Sequence, residues 1–502
     1  MLASGVFAQG NRGSITGTVI DPAVAMVPGA IVTATDLETA ARYETQTTAT
    51  GNFTLGSLAA GTYDVTVNAP GFSRHVEQGV RVQVAQTLRL DVTLQVGATS
   101  ESITITSSTP MLKTESAEQS HNISREMFDS LPLNFGNGSG GGALRNPLVV
   151  TQLMPGAYFQ PYTKGSAKVN GSRSEEFKIM LDGQDATSPN KEYIFNLTQP
   201  SVDAVEEVAI QASNFAAEFG QVIGGLYNFT TRSGTNKLNG SVYDYFVNEA
   251  MNAGQPFTND GSGRHFVQRN RRQDFGFNVG GPVVLPKLYN GRNKTFFFFN
   301  YEFYVDRKNQ QNIGTVPTDA YRNGDFSAAL TGRRLGTDPS GQAILENTVY
   351  DPATNSTVNG LVVRTPFPGN RIPSSRFDPV AAKIQAMFPQ ANVAGSLVNN
   401  WVAVVPNPKT SWVPSVKIDH NFSAKAKVAL YYQRFSTHQL SGPDGLPIPI
   451  TQVRQQYMSS QTLRLNASYS LRPGLLLALG AGIQRVLHPD SAPEEDWTYP
   501  AA

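Results

Sequence analysis

From Gly234 onward, apolar and polar positions alternate with a period of two over long runs. Phe275, Phe277 and Val279 alternate with Asp274, Gly276, Asn278 and Gly280. Phe297, Phe299, Tyr301, Phe303 and Val305 share one face, with Asn300, Glu302 and Asp306 on the other. Leu463, Leu465, Ala467, Tyr469 and Leu471 alternate with Arg464, Asn466, Ser468 and Ser470. Such runs predict strands with one apolar and one polar face. About seven follow on this criterion, over 239–248, 272–282, 295–306, 412–422, 426–437, 458–471 and 475–486. The links between them run medium, short, very long, very short, medium and very short. The tight ones are Ser423-Ala424-Lys425 and Arg472-Pro473-Gly474, and the longest runs from Arg307 to Ser411.

The first half is patterned differently. Short alternating runs (Ser14 to Ile20, Ala30 to Thr35, Gly61 to Asn68, Val80 to Leu94) are punctuated by Pro28-Gly29, Gly51-Asn52, Ala60-Gly61 and Pro70-Gly71, which predicts a small β-sandwich. Residues 98–118 are Ser/Thr-rich and read as a linker, within which Ser102-Ile103-Thr104-Ile105-Thr106 alternates like an exposed strand. Between Asn170 and Ser233 the pattern is that of a small α+β module. Phe177, Ile179 and Leu181 predict a half-buried strand that stops at the Asp182-Gly183 hairpin turn. Ser201 caps a helical turn over Val202 to Glu206, Val208 to Ile210 forms a strand, and the pair Gly224-Gly225 precedes a last strand from Leu226 to Arg232.

Composition narrows the class. A net charge of +1 with 16% charged residues excludes an electrostatic nucleic-acid binder, which needs a basic stripe. Forty-five glycines and 31 prolines suit a turn-rich β protein. No run of about eighteen apolar residues offers a transmembrane helix. A barrel strand needs only about ten alternating residues, and lipid outside with a wet lumen inside requires one apolar and one polar face. A soluble sheet with one buried face alternates in the same way, so the links decide: short turns at one end and long loops at the other are the asymmetry of outer-membrane barrels. Trp412, at the start of a strand after the longest loop, fits an interfacial anchor.

Catalytic chemistry is not visible. With no cysteine there is no thiolate site or disulfide. The six histidines (His75, His121, His265, His420, His438, His488) include no pair at helical metal spacing. There is no G-x-S-x-G elbow and no Walker loop. Gly136-x-Gly138-x-x-Gly141 spells a dinucleotide fingerprint but lacks the preceding strand and the βαβ unit, and reads as a flexible loop. No catalytic residue, metal or cofactor is expected.

Ordered blocks resemble the plug of TonB-dependent outer-membrane receptors, whose pattern is an N-G-x-R … F-x-L-D-G hairpin, an I-E-x-I-E-V strand, an S-A-x-Y-G turn and a G-G-V-I-N-I-x-T-K-S-G strand. Here they stand as Asn170-Gly171-Ser172-Arg173, Phe177 to Gly183, Val205 to Val208, Ala216 to Gly220 and Gly224 to Gly234. Residues 12–97 resemble a carboxypeptidase regulatory-like, transthyretin-like domain of the carbohydrate-binding-like fold group; with His75 its one histidine, it is read as a periplasmic accessory domain without peptidase chemistry. The loop wordings VPTDAYRNGDFS, YDPAT and PFPGNRIPSSRFDPVA resemble the Oar-related subfamily.

The resemblance implies a mainly β protein: a signal-peptide remnant (1–8), the sandwich (12–97), the linker (98–118), an α+β plug (119–233), and the first strands of an incomplete transmembrane antiparallel barrel (234–502) with a long external loop (307–411). It implies the outer membrane of a Gram-negative bacterium, with lipid and the TonB–ExbB–ExbD complex as partners, and uptake of an oligosaccharide, siderophore or peptide. Ser102, Ile103, Thr104, Ile105 and Thr106 are the candidate TonB box, although an ordinary linker reads the same way. Tyr158, Phe159 and Tyr162 are candidate ligand contacts, with local packing as the other reading. Asn170, Gly171, Arg173, Asp182, Gly183, Gly224 and Gly225 are structural plug positions. Family barrels close with about 22 strands, so the chain is expected to be an N-terminal fragment. An adhesion, signalling or sugar-binding role on the same scaffold is the alternative.

Overall fold

The structure is a computed structural model that describes residues 12–97, 102–106, 115, 118–130, 145, 147–160, 166–173, 176–187, 200–215, 219–220, 222–251, 269–472 and 475–492.

The N-terminal unit is a sandwich of two sheets. One runs in the order Arg42–Gln46, Ile31–Asp36, Gly61–Asn68, Arg74–Val82, Ser102–Thr106; the other is Asn52–Leu58, Gly13–Ile20, Thr87–Arg89, with Val92–Thr93 also on Gly13–Ile20. Strict alternation in Gly13–Ile20 buries every second residue, and Ile15, Val19, Val32, Phe53, Tyr63 and Val65 close the space between the sheets. Two strands, Arg42–Gln46 and Asn52–Leu58, go beyond the runs read from the sequence, and the Val80–Leu94 run is the end of Arg74–Val82 followed by two short strands, Thr87–Arg89 and Val92–Thr93. Their turns break the alternation that a longer run would show. Ser102–Thr106 joins this sheet as its edge strand, parallel to Arg74–Val82, with Arg74 opposite Ser102 and Gln78 opposite Thr106.

The α+β unit is a five-stranded sheet in the order Gln119–Ser124, Val205–Ser213, Leu226–Thr231, Lys178–Leu181, Gln184–Asp185. The Lys178–Leu181 strand is covered on both faces rather than half-buried, because it lies inside the sheet beside Leu226–Thr231 and Met180 packs with Phe219 and Leu226. The opposite face carries Phe177, Ile179, Val208, Ile210, Tyr227 and Phe229. The helical turn after Ser201 is a 3-10 turn over Val202–Ala204, capped by the Ser201 side chain accepting from the Asp203 amide. Val205 already begins the next strand.

The third unit is one antiparallel sheet in chain order: Asn239–Val247, Asn270–Pro282, Thr295–Gly314, Trp401–Asn421, Ala426–Ser441, Arg454–Arg472, Leu475–Leu487. The sheet is curved but not closed. All seven strands lie where alternation puts them, and those flanking long loops continue past it. Thr295–Gly314 pairs with Trp401–Asn421 from Thr295 opposite His420 to Gly314 opposite Trp401. In the outer part of this ladder Arg307 to Asn312 are polar on both faces, and the apolar run Trp401 to Val405 opposite does not alternate, so a period-two pattern gives no sign of it.

Residues 315–400 form an ordered lobe at the loop end. The Asn400 side chain accepts from the Val316 amide and donates to its carbonyl, both at 2.9 Å. Arg322 donates to the carbonyls of Gln385, Phe388 and Pro389. Arg376 pairs with Asp351 at 2.5 Å, and Asp378 caps helix Pro379–Met387. The three loop wordings singled out in the sequence are thus fasteners of this lobe.

Candidate functional site

The sheet has inverted polarity. Its convex face exposes Phe275, Phe277, Leu463 (39%) and Leu465 (44%), while Asp274, Asn300, Glu302, Thr462 (1%) and Arg464 (3%) are buried on the concave face. Water selects the opposite arrangement. Hydrocarbon outside and a polar interior select this one. On the outer face Phe275 packs on Phe303 and Phe277 on Phe299, with ring centroids 5.3 and 5.7 Å apart. Trp412 shares this face and carries the Arg434 guanidinium over its ring at 4.9 Å.

The concave face holds the α+β unit through two polar seams. In one, the hairpin turn Asp182-Gly183 reaches the wall. Asp182 and Gly183 both adopt positive φ, 48° and 81°, as the two central residues of this turn require. The Asp182 carboxylate accepts from the Thr231 amide (3.0 Å) and hydroxyl (2.6 Å) and lies 3.7 Å from Lys417 Nζ. Asn466 donates to the Asp182 carbonyl at 2.8 Å, Arg464 to the Asp185 carbonyl at 2.9 Å, and Gln184 to the Asn466 side chain at 2.9 Å.

The second seam centres on Arg145. Its guanidinium lies over the rings of Tyr243 and Tyr245, at 4.5 and 4.1 Å, pairs with Asp203, and stands 3.8 Å from Asp274 on the wall. Asp203 also pairs with Arg125 at 2.8 Å. Burial works against the charge on Arg145, but Asp203, Glu302 and Asp274 outweigh it and hold the group above its ordinary value. Burial likewise pushes the Asp203 carboxyl up, and Arg145 and Arg125 more than offset it. Both seams include ion pairs between buried side chains and charge-assisted hydrogen bonds, where removing one partner is costly.

The outer membrane beta barrel domain matches residues 230–502, more than half the chain. The chain belongs to the outer membrane β-barrel family. The carboxypeptidase regulatory-like domain matches residues 14–95. The TonB-dependent transporter Oar of Myxococcus xanthus is 29% identical over 294 residues, 58% of this chain and 27% of Oar, so the match spans about a quarter of that relative's length. Among solved structures, the outer membrane transporter YddB from Escherichia coli aligns with 73% of this chain and 39% of its own at 10% identity and a TM-score of 0.41. The siderophore receptor PirA from Acinetobacter baumannii aligns with 73% and 47% at 14% identity and a TM-score of 0.32. As a member of that family, the protein resides in the outer membrane, with the α+β unit on the concave face of its wall.

The structure distributes the sequence-selected residues unevenly. Asp182 and Gly183 are at the first seam. Asn170 and Gly171 form a second positive-φ turn, with φ of 51° and 75°, and Asn170 donates to the Ala212 carbonyl. Gly224 and Gly225 run so close to the Glu176 backbone and to Val169 that a side chain would collide. Arg173 is exposed and its amide donates to Glu176 at 3.3 Å. The backbone of Tyr158 and Phe159 lies in the hairpin Ala157–Gln160 with Ser166–Val169. Tyr162 and the Gly136–Gly141 loop lie outside the described residues.

Lys417, Arg464 and Asn466 were not singled out by sequence, although strand alternation puts Arg464 and Asn466 on the polar face. Arg145 follows a glycine-rich stretch with no periodic signal. Glu207, in the predicted plug strand, joins two units: its carboxylate accepts from the Val84 amide at 3.2 Å and the Asn122 side chain at 2.5 Å. Burial raises its carboxyl above the usual range against those hydrogen bonds.

Proposed function

We propose that this protein is a receptor of the energy-coupled type, importing a scarce ligand through the outer membrane under tension supplied by TonB. The observation that supports it most is the pair of seams. The α+β unit, read as the plug, is held on the wall chiefly by hydrogen bonds and ion pairs, with Tyr431 of the wall joining its apolar cluster, and polar contacts can be exchanged for water without exposing hydrocarbon. Outer-membrane barrels turn tightly on the periplasmic side. The sandwich lies at that end, where Lys427, next to the turn at Ser423-Ala424-Lys425, donates to the Arg42 carbonyl at 2.8 Å. Ser102–Thr106, between sandwich and plug, is then on the side from which TonB acts, and strand addition would engage it.

The direct test is calorimetric titration of the TonB C-terminal domain with a peptide of residues 98–118. Saturable binding that disappears when Ile103 and Ile105 become proline supports the reading. A peptide that never binds removes it. The ordered outer lobe favours a second reading, surface adhesion without transport, which predicts unchanged cell attachment in a strain lacking TonB.

A further inference from the structure

The family match of the regulatory-like domain ends at residue 95, yet its larger sheet continues with Ser102–Thr106 as a fifth strand. The domain's own last strand in that sheet, Arg74–Val82, leaves an edge, and the segment ahead of the plug fills it in parallel, residue for residue from Arg74–Ser102 to Gln78–Thr106. A strand bonds to neighbours through both edges, and here one is already used. As long as the pairing holds, a pull on the segment loads the sandwich sheet before it reaches the plug.

We infer that the regulatory-like domain holds the TonB-contacting segment in reserve: Arg74–Val82 and the energising partner compete for the same strand, and the partner seizes it only after it peels from the sandwich. This rests on the reading of Ser102–Thr106 as the partner's handle. Each edge of a strand carries its own row of amides and carbonyls, and the partner is assigned the row that Arg74–Val82 now holds. This competition also gives the sandwich, which has no visible catalytic constellation, a task that its fold can perform.

The chain has no cysteine, so a Val76→Cys/Thr104→Cys variant carries one thiol pair. These two positions are opposite each other in the register, and adjacent strands about 4.8 Å apart are within disulfide reach. Both Val76 and Thr104 lie off the buried face of the sandwich. The probe is the TonB C-terminal domain, titrated against the oxidised chain, the reduced chain and the free 98–118 peptide. The inference expects no binding to the oxidised form and binding restored by reductant. It also expects affinity for the wild-type chain at least about tenfold below that for the peptide, since apparent affinity scales with the fraction in the competent state. Equal binding of oxidised and reduced chains overturns it, because the partner then uses the open edge. If the tether does not form, equal affinity for peptide and wild-type chain overturns it instead. Failure of the peptide and the reduced chain alike overturns both this inference and the reading beneath it, a pattern distinct from either of the others.

Discussion

Asp182 of the α+β unit and Lys417 of the barrel wall form a buried pair 3.7 Å apart, with side chains 5% and 8% exposed. Asp182→Asn keeps a residue that accepts positive φ and an oxygen for the Thr231 amide, removes the charge facing Lys417, and puts an NH2 against the Thr231 hydroxyl, which turns to accept. Lys417 retains its bond to the Thr231 carbonyl at 2.9 Å, so the expected loss is about 1–3 kcal/mol rather than the larger cost of an orphaned charge. Thermal unfolding in detergent micelles measures it. The double variant Asp182→Asn/Lys417→Met should recover most of the loss, and no recovery would mean that the two side chains act separately.

Gly225 has φ of 103°, and a Cβ there would sit 2.8 Å from Val169 Cγ2. Gly225→Ala meets both a backbone penalty and a collision inside the sheet, so destabilisation of about 2–4 kcal/mol is expected. Gly171→Ala has positive φ but open space and should cost about 1 kcal/mol. Denaturant titration of the two variants side by side tests the ranking.

His75 is buried in the sandwich 3.6 Å from Glu77. Burial lowers its pKa below the ordinary value, partly countered by Glu77. A histidine depressed in the folded state leaves stability intact above its unfolded pKa of about 6.5, and stability is lost as pH falls below that. Once corrected for the fall of intrinsic exchange with pH, protection of the Arg74–Val82 amides should therefore drop between about pH 7 and 5. His75→Gln should flatten that dependence; an unchanged profile would assign it to another group.

Leu465 is 44% exposed, and in a soluble sheet an arginine there would be nearly neutral. Facing lipid near mid-depth, Leu465→Arg should cost about 2–4 kcal/mol. Urea unfolding into and out of phosphocholine bilayers gives the number, and a neutral result would contradict a lipid-facing surface.

The wall was legible because alternation is a local signal: seven strands, their order and their two faces follow from residues such as Phe275 to Val279 and Leu463 to Leu471. The plug turns were legible because Asp182-Gly183 and Gly224-Gly225 carry backbone requirements that few residues meet. Strand ends beyond Asp306 were not, since hydrogen bonds to Trp401–Asn421 rather than apolar pattern extend them. Arg145 and the docking of Ser102–Thr106 depend on partners distant in the chain, for which neither periodicity nor composition leaves a trace.

The Thr295–Gly314 strand has 20 residues, about 65 Å of extended chain. Tilted by about 45°, it spans roughly 45 Å, well beyond a hydrocarbon layer of about 30 Å. The surplus makes a hydrogen-bonded mast that lifts the 315–400 lobe clear of the lipid headgroups. An epitope spliced in at the Asn359-Gly360 hairpin tip, where both residues have positive φ, would thus stand in the medium, open to antibody on unbroken cells.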